Sequence, residues 1–441
     1  MTALDETTVA APPALRRNRD FLLLWTGNWM QFFGSRMSSV CYPLLALQIS
    51  GGSAAAVGLA SAAAVLPQAV VQLPAGVLVD RWDRRAVMRW CAAGRFLALG
   101  AVGVALSLGV LGMELLLALI SVEVSLAIVS SLAERAAVRT VVPGSQLPAA
   151  LSQNEARGRI AGLLGGPAGT MLFTWTRWSP FLAATLGALV AAVNLRFIRA
   201  DLSTGDRGPR RALHRDLADA LRWLLGQPAL RAMLPVVTVS TALLQVVMQG
   251  LVVILVKEQG LPEATLGLVL GISGCGGLLG ALSGRWFMAR LPLSVLLIGG
   301  LTLWAALMNA MAWARGPLQL GVLFALMNII GAVFGVATAV YQVTVTPQEL
   351  QGRVAALSGL VVALGTTAGA FCAGKLLEAY RGLLSLLVAA GLMAVTAAVA
   401  ASIPAVRKAR IPDAGRRGDP PATPSTPAPP PSPSTTPRTH S

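Results

Sequence analysis

Residues 76–85 read GVLVDRWDRR, and five of these ten residues are charged. The stretch joins two apolar runs at about 54–79 and 86–111. Each run is long enough to cross a hydrocarbon core of roughly 30 Å as a helix that rises about 1.5 Å per residue. The sequence here therefore predicts two transmembrane helices joined by a short charged loop at a membrane surface.

Similar apolar runs recur along most of the chain. Of its 441 residues, 55% are hydrophobic and 12% are charged, whereas soluble domains are roughly a quarter charged. This composition excludes a water-soluble fold and predicts an all-α polytopic membrane protein with twelve transmembrane helices. The predicted spans are 21–49, 54–79, 86–111, 113–133, 152–175, 179–198, 231–256, 264–288, 292–313, 317–341, 353–376 and 382–404.

The cations between these runs are distributed unequally. If the N-terminus is cytoplasmic, the inner loops hold most of the arginines and the outer loops hold few. The positive-inside rule then predicts a cell-membrane protein with both termini cytoplasmic. This reading assigns the net charge of +16 to topology and to contacts with anionic lipids, and it excludes nucleic acid as a partner. The inner cations include Arg81, Arg84, Arg85, Arg89, Arg135, Arg139, Arg157, Arg159, Arg285, Arg290 and Arg353; the outer ones are Arg177, Lys257, Arg315, Lys375 and Arg381.

The loops divide the chain into segments. Leu217, Leu221 and Leu224 have helical spacing, which predicts a short amphipathic helix on the inner membrane surface. The last segment is rich in Pro, Ser and Thr and is predicted to be disordered. The predicted segments are a cytoplasmic N-terminal segment 1–19, a six-helix bundle 20–199, a linker 200–230, a second six-helix bundle 231–405 and a tail 406–441.

The two bundles contain an internal repeat. A single ungapped shift of 204 residues aligns tryptophan, proline, arginine and several glycines, which is difficult to attribute to composition. We therefore expect two copies of one six-helix unit, related by an axis along the membrane normal, with a cavity between them. The aligned pairs are Gly76 with Gly280, Arg81 with Arg285, Trp82 with Trp286, Thr140 with Thr344, Pro143 with Pro347, Gly165 with Gly369 and Gly187 with Gly391.

The loop at 76–85 carries a family resemblance. A glycine, three residues, Asp-Arg and further cations, set between spans two and three, resemble the major facilitator superfamily. The resemblance implies a latch that holds the inner ends of the two halves together when the transporter faces outward. The second copy has Gly284 in place of Asp80, so an acid-dependent latch is expected only in the first half. The predicted latch residues are Gly76, Asp80, Arg81, Arg84, Arg85 and Arg139.

A finer resemblance covers about 18–405. Short motifs such as residues 34–38 (GSRMS), 42–45 (YPLL), 154–157 (NEAR) and 350–354 (LQGRV) are similar to the branch that includes macrolide and siderophore exporters. That branch implies proton-driven export of a drug or natural product. The sequence departs from it at three positions where ionisable residues are expected, namely Ala92, Ala184 and Gln342.

Ionisable residues inside the spans are functional candidates, because a charge in hydrocarbon costs several kcal/mol unless it is paired or hydrated. Glu123 near the middle of span four is predicted to carry the proton-coupling step, with Arg36 of span one tuning it. A static ion pair that only ties two helices together is the alternative, and a cationic substrate could compete for the same carboxylate. Arg95 of span three is equally compatible with a structural role and with transport.

The cavity-lining residues predicted for the substrate are mostly neutral or apolar, which suits an amphipathic solute better than a sugar. For any single amide among them, an interhelical hydrogen bond is the competing interpretation. The predicted set is Gln31, Gln245, Gln249, Asn328, Phe33 and Met248.

No pattern in the sequence points to an enzyme, a metal site or a cofactor. The four cysteines lie inside apolar runs and the two histidines lie outside them. Residues 369–375 (GAFCAGK) have the spacing of a phosphate-binding loop, but Leu376 follows in place of the Ser or Thr that would hold magnesium. We therefore expect a monomeric exporter of a small molecule, coupled to protons. An importer and a non-transporting membrane sensor are the alternatives.

The topology can be tested by cysteine labelling. In a cysteine-free background, an impermeant maleimide added to intact cells should react with Gly260→Cys and Gly316→Cys but not with Gly205→Cys. Labelling of the last variant would place the linker outside and overturn the predicted orientation.

Overall fold

A computed structural model of the protein describes residues 15–143, 146–200, 202, 213–347 and 350–408, apart from some side chains within the helices. Helices make up nearly all of these residues. A π-helical segment, Val253–Glu258, extends the eighth helix. The helices are α1 Arg19–Ile49, α2 Ala54–Arg81, α3 Arg84–Ser107, α4 Met113–Val141, α5 Leu147–Trp175, α6 Ser179–Phe197, α7 Leu213–Gly226, α8 Pro228–Val252, α9 Glu263–Arg290, α10 Leu293–Ala312, α11 Pro317–Val345, α12 Gln351–Ala379, α13 Gly382–Ser402 and α14 Pro404–Arg407.

Each of the twelve predicted spans corresponds to one long helix among the described residues. Ten of these helices are long and apolar enough to cross a membrane by composition alone. The other two are α1 and α5, which carry more polar and charged side chains. The largest departures from the predicted bounds are in two helices: α4 continues to Val141 instead of ending at 133, and α5 begins at Leu147 instead of 152. As a result, charged residues expected near loops lie inside helices.

Polar side chains fix where several helices begin. The Asn18 side chain accepts a hydrogen bond from the Phe21 amide at 3.1 Å and caps α1. Asp83 accepts hydrogen bonds from the Arg85 amide at 3.1 Å and the Ala86 amide at 3.2 Å, and caps α3. Such side chains pair backbone donors that the first helical turn leaves free. The second acid of the 76–85 loop is therefore a helix cap.

The two halves repeat the same packing. In the first half α1 packs against α5 and α6, α2 against α4, and α3 against α4 and α6. In the second half α8 packs against α12 and α13, α9 against α11, and α10 against α11 and α13. The halves meet along α2 with α12 and along α5 with α9. Both interfaces pair equivalent helices in reciprocal positions, as a pseudo-twofold axis between two copies requires.

We call the side at which α1 begins and α2 ends the terminal face, and the other side the opposite face. At the opposite face the halves touch closely. A Cβ added to Gly58 of α2 would lie 2.6 Å from the Gly374 Cα of α12. The Gln48 amide of α1 donates to the Glu263 carboxylate of α9 at 3.0 Å. The two halves are thus closed against each other at the opposite face.

A carboxylate from one half also caps a helix of the other half at this face. Glu378 of α12 accepts hydrogen bonds from the backbone amides of Ala54 and Ala55, the latter at 3.2 Å. The Ser53 hydroxyl donates to the same oxygen at 3.4 Å. A negative charge at a helix N-terminus pairs free amides and complements the helix dipole. These contacts reinforce the closure.

Glycines on α9 allow close helix packing. A Cβ on Gly280 would lie within 2.7 Å of the Ile329 Cα of α11, and one on Gly276 would lie at the same distance from the Ala325 Cα. Gly76 is the repeat partner of Gly280, but a Cβ added to Gly76 would meet nothing within 4 Å. The close approach expected at Gly76 is therefore not made in this conformation.

The linker helix α7 lies against the terminal face. Ala220 and Leu224 are buried with Val354 of α12, whereas Leu221 and Leu225 are exposed. Part of the apolar side of α7 thus packs against the protein, and the rest is exposed to the surroundings. The predicted disordered tail begins at 406, but residues 406 and 407 belong to α14 and Val406 is buried. Residues 409–441 of the tail lie outside the described residues.

The glycine packing predicts unequal effects of adding one methyl group. Gly280→Ala should lower the thermal unfolding temperature, because overpacking a close contact costs about 1–3 kcal/mol. Gly103→Ala, in α3 with open space around its Cβ, should be neutral or stabilising, since Ala has the better helix propensity. The measurement is thermal unfolding of both variants in the same detergent. Equal unfolding temperatures would mean that the α9–α11 contact is not tight.

Candidate functional site

Three cavities lie along the region between the two halves. The N-half cavity, about 260 Å³, is bounded by α1, α2, α3 and α4. The C-half cavity, about 560 Å³, is bounded mainly by α8, α10 and α11. A central cavity of about 180 Å³ shares Ser39 and Ala64 with the first and Gln245 and Met248 with the second. The shared walls make the three cavities adjacent compartments of one region.

A buried ion pair lies in the wall of the N-half cavity. The Arg95 guanidinium of α3 is 2.8 Å from the Glu123 carboxylate of α4, and both side chains are only 3% exposed. Two guanidinium nitrogens contact the same carboxylate oxygen, the second at 3.1 Å. The Ser35 hydroxyl of α1 donates a hydrogen bond to that oxygen at 2.9 Å and accepts one from the Arg95 guanidinium. Three helices of the first half therefore meet at one carboxylate.

Hairpin geometry brings Arg95 to Glu123. Both helices end at the turn 108–112, with Glu123 about 15 Å from that turn along α4 and Arg95 about 18 Å from it along α3. Neighbouring antiparallel helices place residues at equal distances from their turn side by side. The two distances are similar only because α3 ends at Ser107; the predicted end at 111 put Arg95 about 24 Å from the turn, so the predicted spans did not identify it as the partner.

Arg36, the cation predicted to lie near Glu123, is not its partner. Successive residues of a helix point about 100° apart, so Ser35 faces Glu123 and Arg36 does not. The Arg36 guanidinium instead lies 5.0 Å above the Phe32 ring, one turn earlier on α1, and lines the same cavity.

A second buried ion pair was not anticipated. Glu134 of α4 and Arg157 of α5 are 2.6 Å apart, and Arg157 also donates to the Trp25 carbonyl of α1 at 3.0 Å. Arg157 was interpreted as a cation of an inner loop, but it lies ten residues into α5 and is buried. Its pairing with Glu134 offsets much of the cost of burying its charge at this depth in the helix. Glu134 lines the N-half cavity.

The C-half cavity has a different chemistry. Its described lining is apolar and aromatic with a few neutral polar groups and no charged side chain. The Trp304 indole donates to the Met327 carbonyl at 2.8 Å, so this ring is held in place. Asn328 and Gln245 also line the cavity.

Most of the predicted substrate-cavity residues line the three cavities. Gln31 lies in the N-half cavity, Gln249 in the central cavity, and Met248 in the central and C-half cavities. Gln249 also donates to the Ala370 carbonyl at 2.9 Å, the interhelical role that was its competing interpretation. Phe33 is the exception, since it stacks on Trp29 at 6.0 Å and lines none of the three. It lies about 200° around α1 from Gln31, and Phe32 lines the cavity instead.

The structure describes the side chains of only some of the predicted latch residues. Arg84 donates to the Thr140 hydroxyl of α4 at 3.1 Å, and Arg85 donates to the Ala200 carbonyl at 2.6 Å. Arg81 is exposed. The side chains of Asp80 and Arg139 lie outside the described part of the structure. The two described arginine contacts stay within the first half and its adjoining linker.

Comparison with known proteins is consistent with this architecture. The sequence pattern of the Major Facilitator Superfamily matches residues 24–297, which is more than half of the chain. Fold and sequence together define a secondary transporter of a small molecule, a multi-pass membrane protein and not an enzyme. The chain belongs to the Major Facilitator Superfamily. A search of curated proteins finds no match.

Solved structures of several different transporters share this fold. The nucleoside transporter NupG superposes with a TM-score of 0.69 at 15% identity, over 89% of this chain and 100% of that chain. A bacterial homologue of the human lysosomal transporter Spinster, inward-facing and occupied, gives 0.70 at 15% identity over 88% and 96%. The peptide transporter POT with sulfate gives 0.69 at 11% identity over 89% and 96%. At these identities the likeness concerns the fold alone.

The ion pair predicts a large coupling free energy. Arg95→Met or Glu123→Leu should each cost about 3–5 kcal/mol of stability, because each leaves a buried charge unpaired. The double variant should cost far less than the sum. Asp219→Ala, which breaks an exposed pair with Arg222, is the control and should cost under about 1 kcal/mol. Unfolding measured in matched nanodiscs gives the four values, and additive effects would show that the pair contributes no coupling.

Proposed function

We propose that the protein exports a hydrophobic or amphipathic small molecule in exchange for protons, by alternating access. The observation that carries this proposal is the Arg95–Glu123 pair in the wall of the N-half cavity. Such a pair is costly to bury and is weak evidence for stability alone. Its position facing a cavity, where a proton could reach the carboxylate, supports a role in coupling.

Protonation of Glu123 would change the energy of the whole N-half. The carboxylate becomes neutral, and the Arg95 charge then lies buried without its compensating partner. An unpaired buried charge costs several kcal/mol, and conformations of a transporter differ by amounts of the same order. Neutralisation would thus favour a conformation in which Arg95 is hydrated or paired differently. Release of the proton on the other side re-forms the pair and completes the cycle.

The closed face supplies the second element of alternating access. We assign the opposite face to the outside and both termini to the cytoplasm, as the loop cations predict. The contacts of Glu378 with α2 and of Gln48 with Glu263 would then close the outer side. Opening outward requires these contacts to break while the inner ends approach.

The 76–85 loop is the proposed latch for the outward-facing state. Gly76 has free space beside it here, so the helix approach for which it is suited would form when the inner ends close. Asp80 would supply the charge of that contact. Asp83 has a separate role as the cap of α3.

The proposed substrate class follows from the cavity walls. The described lining of the C-half cavity is uncharged and includes Trp304, Phe324 and Phe334, which suits an apolar or aromatic body. The resemblance of the sequence motifs to macrolide and siderophore exporters supports export. An importer with the same cavity chemistry is the alternative, and the transport assay below distinguishes the two by the direction of driven flux.

Glu123→Gln tests the coupling step. Gln retains the size of the side chain and mimics the neutral acid, so the variant should lose proton-driven accumulation while retaining downhill exchange. Glu114→Gln, an exposed carboxylate on the first turn of the same helix, is the matched control and should transport normally. The measurement is uptake of a tracer drug into inverted membrane vesicles that contain equal amounts of protein, with and without an inside-acid pH gradient, which drives an exporter to accumulate the drug and an importer to expel it. Full proton-driven transport by Glu123→Gln would remove this residue from the mechanism.

A further inference from the structure

We propose that the N-half cavity binds the anionic head group of an amphipathic substrate, with Arg36 as its charge partner. This inference rests on the proposed transport function, because it assigns a substrate class to the same cavities. It differs from the substrate left open by the sequence, which allowed a cation to compete for Glu123.

Arg36 is the unbalanced charge of the N-half cavity. The cavity is lined by Arg36, Arg95, Glu123 and Glu134 among its charged residues. Glu123 is paired with Arg95, and Glu134 is paired with Arg157 at 2.6 Å. Among the described carboxylates none forms an ion pair with Arg36, whose described partner is the Phe32 ring. When Arg157, which lies outside the lining, is counted as the partner of Glu134, both carboxylates are paired and the Arg36 charge is left without a carboxylate partner.

The position of Arg36 makes this charge significant. It lies near the middle of α1, about 20 Å along the helix from its opposite-face end. A cation at that depth is costly unless it is hydrated or meets an anion. The two buried arginines described in this half, Arg95 and Arg157, each have a carboxylate partner, whereas Arg36 has none. Arg36 is exposed toward the cavity and available for a ligand.

Neighbouring hydrogen-bond groups point to the same chemistry. The side-chain nitrogens of Asn28 and Gln31 are buried and have no hydrogen-bond partner, and both residues line the N-half cavity. Gln31 has its oxygen engaged by the Ser130 hydroxyl at 3.3 Å, which leaves its amide nitrogen as the free group. Buried donors without acceptors are rare in native proteins and call for an occupant. One cation and two free donors in one cavity select a ligand with oxygen acceptors and negative charge.

The adjacent compartments define the rest of the ligand. The central cavity lies between the other two: it shares Ser39 and Ala64 with the N-half cavity, and Gln245 and Met248 with the C-half cavity. Beyond them lie the aromatic and apolar walls of the C-half cavity. A molecule with its anionic group at Arg36 would thus place an apolar body toward the second half. The substrate class is a compact oxyanion, such as a carboxylate, attached to an apolar or aromatic body.

Three probes of equal size and different charge test this class. They are 2-naphthylacetate, its neutral amide 2-naphthylacetamide, and the cation 2-(2-naphthyl)ethylammonium. Binding is measured by calorimetry on the full chain in nanodiscs of zwitterionic lipid, without any gradient. The wild-type protein should bind the anion roughly tenfold or more tightly than the amide, and the cation least, because charge-assisted hydrogen bonds are the stronger ones.

Variants assign the preference to one side chain. Arg36→Gln should reduce the ratio of the affinity for the anion to the affinity for the amide to about one, while the affinity for the amide itself is unchanged. Arg36→Lys should retain a preference for the anion. Arg290→Gln is the control, since Arg290 lies over Trp286 at the terminal end of α9, away from the cavities, and should leave the ratio unchanged.

Two results would overturn the inference. One is a wild-type protein without preference for the anion, and the other is a preference that survives Arg36→Gln. Because binding is measured at equilibrium, failure of proton coupling in Glu123→Gln would not affect these outcomes. An anion preference together with normal driven transport by Glu123→Gln would therefore retain this inference and reject the proposed coupling step.

Discussion

The first half of this transporter depends on the compensation of buried charge. Arg95 and Glu123 are each almost fully buried, and neither could remain so without the other. Their contact fixes α3 against α4, and Ser35 joins α1 to the same carboxylate. A few ångströms of helix displacement would separate the three groups. The helices that bound the N-half cavity are thus held together by the residues that would respond to a proton.

A second constraint is the distance between helix backbones. Glycines remove the side chain where two helices must approach most closely, and they do so at two kinds of place. Gly276 and Gly280 tighten α9 against α11 within one half, whereas Gly58 and Gly374 bring α2 and α12 together across the halves. The first contact lies inside the second half and can persist while the halves move relative to each other. The second crosses the interface at the opposite face, so in the proposed cycle it would have to break when that face opens.

Much of the fold could be predicted from the sequence because membrane helices are defined by one-dimensional properties. Length, hydropathy and loop charge predicted a helix for every span, and the 204-residue shift predicted the two halves. The site was less predictable because it depends on the direction of side chains around each helix. Arg36 and Ser35 differ by one position, and only the structure decides which of them faces Glu123. For the same reason, Phe33 was predicted to line the cavity, whereas Phe32 lines it. The sequence does not predict the Glu134–Arg157 pair because span four is predicted to end at 133, before Glu134, and Arg157 is counted among the inner-loop cations.

The repeat shows how one architecture came to hold two chemistries. The same shift that aligns the halves places Met327 at the position of Glu123, Gly299 at that of Arg95 and Ser240 at that of Arg36. The charged positions of the first half are therefore neutral in the second, while the packing of the helices is retained. Met327 is buried in the second half, and because its side chain is apolar its burial requires no ion pair. A protonation event in the first half would thus act on one side of the interface only. Such asymmetry is what a rocking motion needs if a single carboxylate is to bias it.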